Sequence, residues 1–322
     1  MRKKILILGT GGTIASRKSE QGLIPAADVS ELISCIPELK QLCELNQIQV
    51  FSLDSTNVQP EHWLMLVKCI KEYYEAYDGF LILHGTDTMA YTAAALSYLI
   101  QNTKKPVVLT GSQLPMEDEN TDAKINILQS IQYLIADYAS GVSIVFAGKV
   151  IPGGRARKVR SHTMEAFESV GYSFDPKQRT NELMPPTVFY QQLNTNVLIW
   201  KLIPGLRPDT LLKAAEDYDG IVIEGFGLGG LPDLPENDYF PVLKSLTEQG
   251  KTIAVTTQVP LEGSDMTVYE VGMRYKKELP ILEGGTMTPE AMAVKLMWVL
   301  GCTKEPKQIA ELFCTPINYD RI

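Results

Sequence analysis

The chain has 322 residues, 45% hydrophobic and 21% charged, the make-up of a globular protein with room for one large or two ordinary domains. Its net charge of −8 argues against a nucleic-acid polyanion as the main partner, because affinity for phosphate backbones rests on many Lys and Arg contacts. The five cysteines (Cys35, Cys43, Cys69, Cys302, Cys314) are scattered without a CxxC, and there are only three histidines (His62, His84, His162), so no zinc cluster is expected and the thiols read as inert groups in a reducing compartment.

In chain order, short apolar runs alternate with longer helical patterns. Strands are expected over Lys4–Leu8, Gln47–Leu53, Gly79–Leu83, Pro106–Leu109, Val142–Phe146, Val197–Leu202, Gly220–Ile223 and Thr252–Val255. Helices are expected over Val29–Ile36, Pro60–Glu75, Thr88–Gln101, Lys124–Tyr138, Arg207–Ala215, Asp238–Gln249 and Pro289–Leu300. Asp28, with Glu31 three residues on, has a capping-box pattern, and Pro60 and Pro289 suit first-turn positions. Such alternation implies an α/β fold whose mainly parallel sheet is covered on both faces. The rhythm breaks at "NELMPPTVFYQQLNTN", which reads as an interdomain connection. The expected organisation is therefore a larger N-terminal α/β domain over residues 1–183, a linker over 184–196, and a smaller C-terminal α/β domain over 197–322. The opening "MRKK" is followed by only four apolar residues, short of the roughly 7–15 of a signal peptide core. No window approaches a membrane span of ~20 apolar residues. A cytoplasmic protein is expected.

Ligands of open parallel sheets bind beyond the carboxyl ends of the strands. Here those ends read "GTGGT", "DSTN", "HGTDT", "TGSQ", "AGK" and "EGFG". Glycine permits tight turns and close backbone approach, while Ser and Thr supply short donors and nucleophiles, so the repetition points to a pocket for a small polar molecule. A dinucleotide site does not fit the first turn: Gly9 and Gly11 match the fingerprint, but Ile14 occupies its third glycine place and "ASRKSEQGLIPAAD" reads as an extended loop. A phosphate loop fails for want of a GK[ST].

The motifs "TGGTIAS" (Thr10–Ser16) and "LHGTDTMAYTAAALSYL" (Leu83–Leu99) resemble those of the bacterial-type L-asparaginases, specifically the cytoplasmic type I branch. The likeness extends to "DST" at Asp54–Thr56, "GSQLP" at Gly111–Pro115, "RKVRSHTMEAFES" at Arg157–Ser169 and "GGTMTPEA" at Gly284–Ala291. It implies hydrolysis of L-asparagine to aspartate and ammonia, with Thr13 as nucleophile and Thr86, Asp87 and Lys158 completing the catalytic group. It also implies that Ser55, Thr56 and Asp87 hold the amino-acid end of the substrate, and that subunits pair as dimers or tetramers, Tyr269 contributing across a dimer interface. No metal or organic cofactor is called for. The chemistry is coherent: a threonine hydroxyl attacks only when a base takes its proton, and backbone N–H groups in glycine turns suit a developing oxyanion. Within "RARKVR", Lys158 alone is singled out, and Arg155, Arg157 and Arg160 read as a solvated surface.

Departures are visible. Leu23 stands where the periplasmic branch has a loop tyrosine and cannot orient Thr13 through a hydroxyl. Gly230 stands where many relatives have asparagine, and Asn57 where an acid is common. Val259 replaces a cysteine near the second, regulatory site of some type I relatives, which implies weak or absent allosteric control. Competing readings are a glutaminase-type or tRNA-amidotransferase-related amidohydrolase, a non-catalytic amino-acid sensor and, more remotely, a nicotinamide enzyme. The amidotransferase proteins bear an extra N-terminal domain for which Thr13, thirteen residues from the start, leaves no room. A sensor has no need of the nucleophile.

Overall fold

The computed structural model describes residues 2–19, 22–25, 28–178 and 185–322, and the chain divides into two compact units, Met1–Gln191 and Gln192–Ile322. In the first unit, β1 (Lys4–Gly11) leads through the hairpin β2 (Ser16–Ser19) and β3 (Gly22–Pro25) to helices α1 (Val29–Ser34) and α2 (Leu39–Leu42). Then follow β4 (Glu44–Leu53), α3 (Pro60–Tyr73), β5 (Gly79–Leu83), α4 (Met89–Leu99), β6 (Ile100–Gln101), β7 (Val107–Thr110) and α5 (Ala123–Leu134). The unit ends with β8 (Val142–Phe146), β9 (Lys149–Pro152), β10 (Ala156–Lys158), β11 (Phe167–Ser169) and β12 (Val188–Phe189).

The main sheet has the order β4-β1-β5-β7-β8-β9, parallel except for the edge strand β9. Alternation along the strands loads both faces. Ile5, Ile7, Leu81, Leu83 and Val108 join Leu32 and Ile33 of α1 and Ile127, Ile131 and Leu134 of α5 in one cluster. Leu6, Leu8, Phe80 and Ile82 point the other way and are fully buried, and Tyr74, just past α3, stacks on Phe80 at 6.1 Å. Asp28 caps α1 by accepting from the backbone N–H of Ser30 and Glu31, as its sequence context predicts.

In the second unit, β13 (Val197–Lys201), α6 (Pro208–Ala214), β14 (Gly220–Gly225), α7 (Phe240–Glu248), β15 (Thr252–Thr257), α8 (Glu270–Glu278) and β16 (Leu282–Glu283) precede α9 (Pro289–Cys302) and α10 (Pro306–Cys314). Its four strands are parallel in sequence order. Ile221, Ile223, Ile253 and Val255 pack with Leu211, Leu243 and Leu246. Lys251 closes the end of α6 by donating to the carbonyls of Ala215, Glu216 and Tyr218 at 2.7, 2.8 and 2.8 Å.

The α/β architecture of both units is the one expected, and the differences have local causes. Within the stretch read as an extended loop after the first turn, β2 and β3 pair antiparallel, Ser16 opposite Pro25 and Ser19 opposite Gly22; ladders of four residues are too short to show periodicity. Helices α8 and α10 are absent from the sequence-based expectation because each buries so little: Gly272 and Tyr275 in one, Ile309 and Phe313 in the other. Of the arginines expected at the surface, Arg160 fits, paired with Glu168 at 2.9 Å; Arg155 is instead fully buried, its guanidinium donating to the Val170 carbonyl. Among the described residues no helix is long and apolar enough to cross a membrane.

Two buried polar groups fix the frame. In the first unit, Trp63 Nε1 donates to Thr92 Oγ1 (3.1 Å), the Thr92 hydroxyl to His84 Nε2 (3.0 Å), and His84 Nδ1 to the Gly85 carbonyl (2.7 Å). A carbonyl only accepts, so the proton sits on Nδ1 and Nε2 is left to accept from Thr92. Burial pushes the His84 imidazole down to about 4, with the Gly85 bond pulling the other way. In the second unit, Lys295 is fully buried on α9 and donates to Asp320 Oδ2 (2.6 Å) and the Thr315 carbonyl (2.7 Å). Burial holds its ammonium below the usual range, against the pull of Asp320.

Each group yields a prediction. A free imidazole titrates near 6.5 and His84 near 4, so as pH falls the unfolded chain takes the proton first. The stability that neutral His84 contributes is complete above about 6.5 and is lost towards 4, at up to ~1.4 kcal/mol per pH unit. His84→Gln is expected to flatten the decline of the urea midpoint across that window; identical slopes in wild type and variant would refute it. Asp320→Ala strands a buried cation and is expected to cost about 3–5 kcal/mol, whereas Lys295→Met combined with Asp320→Leu costs much less. Urea unfolding of the two proteins checks this, and equal losses would show that packing rather than charge sets the cost.

Candidate active site

Numbered by order along the chain, the five parallel strands of the first unit run 2-1-3-4-5 across the sheet, so the connections diverge between β1 and β5. That divergence opens a crevice at the carboxyl ends, where ligands of such sheets bind. The turn after β1 carries Thr13, and the turn after β5 carries Thr86 and Asp87.

The two turns touch through their backbones. Gly12, at φ 80°, lies so close to the next strand that a Cβ there would come within 2.3 Å of Gly85 Cα. A side chain at Gly85 would meet Ser55 Oγ at 2.5 Å. Only glycine satisfies both positions, so "GTGGT" and "HGTDT" are the sequence forms of one close contact. The Gly12 amide donates to Leu53 O at 2.9 Å, the Thr10 hydroxyl to Leu83 O at 2.8 Å, and the Ser16 hydroxyl to Gly12 O at 2.9 Å. These bonds tie the ends of β1, β4 and β5 together and leave Thr13 half-buried at the start of a single 3₁₀ turn, Thr13–Ala15.

Lys158 arrives on β10. Its Nζ donates to Thr86 Oγ1 at 2.8 Å and to Asp87 Oδ1 at 2.6 Å. The lysine side chain is largely covered (19% exposed) whereas the Asp87 carboxylate is half open to solvent (53%), so the ion pair is screened on the acid's side. Thr86 itself is buried. Lys158 Nζ thus holds a hydroxyl and a carboxylate together, and only its amine form could take a proton from a nucleophile.

Ser55 is buried at the turn after β4, its Oγ accepting from the Asp87 amide at 3.3 Å and its carbonyl accepting from the Thr88 hydroxyl at 2.7 Å. Thr56 faces differently: both its amide and its hydroxyl donate to Asp54 Oδ1, at 2.9 and 2.8 Å. Asn57 is exposed and ends that turn. Tyr269 belongs to the second unit, where it precedes α8 and is 64% exposed. Gly230 bridges to Phe226 in the loop after β14, and Val259 is exposed after β15. Leu23 lies on β3 opposite Lys18, and its side chain falls outside the described residues. The geometry thus brings together Ser55, Thr86, Asp87 and Lys158 by direct contact, with the Thr13 turn packed against them through Gly12 and Gly85.

Sequence reasoning passed over two residues here. His84 counted only as one of three histidines, yet it fixes the Gly85 carbonyl. Gln113 lay within the quoted "GSQLP" without a role, and its Oε1 stands 3.4 Å from Thr86 Oγ1. Its place directly after a strand that ends at the crevice was the available signal. Among the described residues no three His, Cys, Asp or Glu side chains gather as metal ligands would.

Residues 4–180 match the family described as Asparaginase, N-terminal, and residues 196–313 the Glutaminase/Asparaginase C-terminal domain. The L-asparaginase of Thermococcus kodakarensis is 37% identical over 319 residues, covering 96% of each chain. A glutamyl-tRNA(Gln) amidotransferase chain of Pyrococcus horikoshii is 31% identical, over 98% of this chain and 75% of its own length. The crystal structure of L-asparaginase I from Vibrio cholerae superposes with a TM-score of 0.88 at 26% identity, over the whole of both chains. A crevice that packs a threonine turn against a Thr–Asp–Lys cluster thus sits in a two-domain chain that belongs to the asparaginase family.

Proposed function

We propose that this protein is an amidohydrolase that converts L-asparagine to L-aspartate and ammonia, with the first unit (residues 1–183, followed by a linker over 184–196) as the catalytic domain. The observation that carries this reading is Lys158 bridging Thr86 and Asp87 beside the Thr13 turn. Thr13 Oγ attacks the side-chain amide carbon while Lys158, in its amine form, removes the hydroxyl proton, Thr86 and Asp87 orienting the lysine. The proton passes to the leaving nitrogen, which departs as ammonia, and a β-aspartyl ester remains on Thr13. Water then attacks the ester carbon, giving up a proton as Thr13 regains its own, and aspartate is released. Two amides of the turns are already committed, Gly12 to Leu53 O and Asp87 to Ser55 Oγ, so neither is offered to the oxyanion.

Binding follows from charge. The half-exposed Asp87 carboxylate suits the substrate ammonium, and Ser55 and Thr56 stand at the turn that would meet its carboxylate. Thr56 would have to turn its hydroxyl from Asp54 to do so. The exposed Tyr269, with Val268 and Met273 beside it at 56% exposure each, suits an interface in a dimer or tetramer. A cytoplasmic location accords with free thiols throughout. A second reading, ammonia release from glutamine for tRNA-dependent amidation, is favoured by the 31% identity to the Pyrococcus horikoshii amidotransferase chain. Relative rates on the two amides decide between them.

Purified protein is expected to release ammonia from L-asparagine faster than from L-glutamine, and Thr13→Ala to lose roughly three or more orders of magnitude of kcat. Hydroxylamine added during turnover should trap the acyl group as aspartyl hydroxamate. Robust activity in Thr13→Ala would remove Thr13 as nucleophile, and a wild type silent on both amides would leave only an amino-acid-binding protein. With Val259 after β15, the rate is expected to rise hyperbolically with asparagine; a clearly sigmoidal curve would show regulation instead.

A further inference from the structure

We propose that Gln113 is a positioning residue for the reaction proposed above, directing the Thr86 hydroxyl by accepting its proton at Oε1 and so turning a lone pair of Thr86 towards the incoming reactant. The proposal rests on the amidohydrolase reading and adds a residue to it.

Gln113 is held at both ends. Its backbone amide donates to Asp122 Oδ1 and Oδ2 at 3.0 and 3.1 Å, and the Leu114 amide donates to Oδ1 at 3.1 Å. Asp122 is buried and held in turn by Asn126, whose Nδ2 donates to Asp122 Oδ2 and to Gly111 O at 3.0 Å each. The side-chain amide is oriented by chemistry: Nε2 donates to the Thr163 carbonyl at 3.1 Å, and because a carbonyl cannot donate, the amide cannot be reversed. Oε1 therefore faces Thr86.

Thr86 has one proton and two lone pairs to distribute. Lys158 Nζ occupies one lone pair at 2.8 Å, and Gln113 Oε1 takes the proton at 3.4 Å. The second lone pair is left for an incoming O–H or N–H, which makes Thr86 an acceptor facing the crevice. Without Oε1 the proton is free to rotate towards the crevice and Thr86 presents a donor in the wrong place. A contact of 3.4 Å is long for two oxygens, and it is expected to tighten when substrate orders the cluster.

The test compares Gln113→Met, which keeps the volume without polar atoms, with Gln113→Glu, which keeps Oε1 as acceptor and loses the Nε2 donor. Steady-state ammonia release from L-asparagine is followed across pH on the full chain, with thermal unfolding of each variant. In Gln113→Met the plateau kcat is expected to fall roughly fivefold, the weight of one neutral hydrogen bond, with KM within about twofold of wild type. In Gln113→Glu the plateau is expected to recover, with its rising limb moved to higher pH by the added negative charge beside Lys158 and Asp87. A Met variant with wild-type kcat, or a Glu plateau as low as that of Met, overturns the proposal while wild-type activity leaves the amidohydrolase reading intact. A wild type that releases no ammonia brings down that reading, and this inference with it.

Discussion

Everything at this site depends on one backbone-to-backbone approach, that of Gly12 and Gly85. A methyl group on Gly12 would need space already filled by Gly85 Cα and N, both 2.3 Å away. Such a contact is possible only between two glycines, and its geometry leaves little freedom to the residues that follow. Thr13 and Thr86 come directly after them. The two hydroxyls of the proposed reaction are thereby fixed by the main chain rather than by flexible side-chain packing. The surrounding bonds reinforce this: Gly12 to Leu53 on one side, Thr10 to Leu83 on the other, and the buried chain from Trp63 through Thr92 and His84 to the Gly85 carbonyl.

The lysine is supplied by a different device. After β8, the chain reverses at Ala147 and Gly148, both at positive φ (48° and 78°), and their amides are held by Asn126 and Gln129 of α5. An alanine in that conformation carries strain that those bonds offset. The return strand β9 leads to β10 and so to Lys158. Thus α5, through Asn126, braces the turn on the path to the lysine and, through Asp122, the loop bearing Gln113.

Much of this was legible in the sequence because it is written in continuous apolar runs and in glycine. Gly79–Leu83 and Val142–Phe146 are strands at the very residues where their apolar runs begin and end, since every one of those residues is buried. The crevice was readable from the small residues after each strand. What escaped was set by long-range pairing. Arg155 sits among basic neighbours and reads as surface, yet it folds inward because the Val170 carbonyl, fifteen residues away, accepts from it. The hairpin β2–β3 and the strand β12, which pairs with β6 across more than eighty residues, have no local periodicity to report them. Gln113 is similar: its role depends on Thr163 and Thr86, and neither partnership shows in the spacing of a single loop.

The placement of β1 has a consequence for how the chain is made. It precedes both of its partners in the chain, yet it occupies an interior lane, with β4 and β5 on its two sides. Ile5, Leu6, Ile7 and Leu8 are completely buried in the finished protein, but their nearer neighbour begins at Glu44 and the other ends at Leu83. For that interval the strand that leads to Thr13 is an unpaired apolar ribbon, the kind of segment that associates with other chains when left exposed. Parallel pairing across such distances is also slow. The exposure of β1 therefore ends only once β4 and β5 have both followed it, whatever the second unit has yet to do.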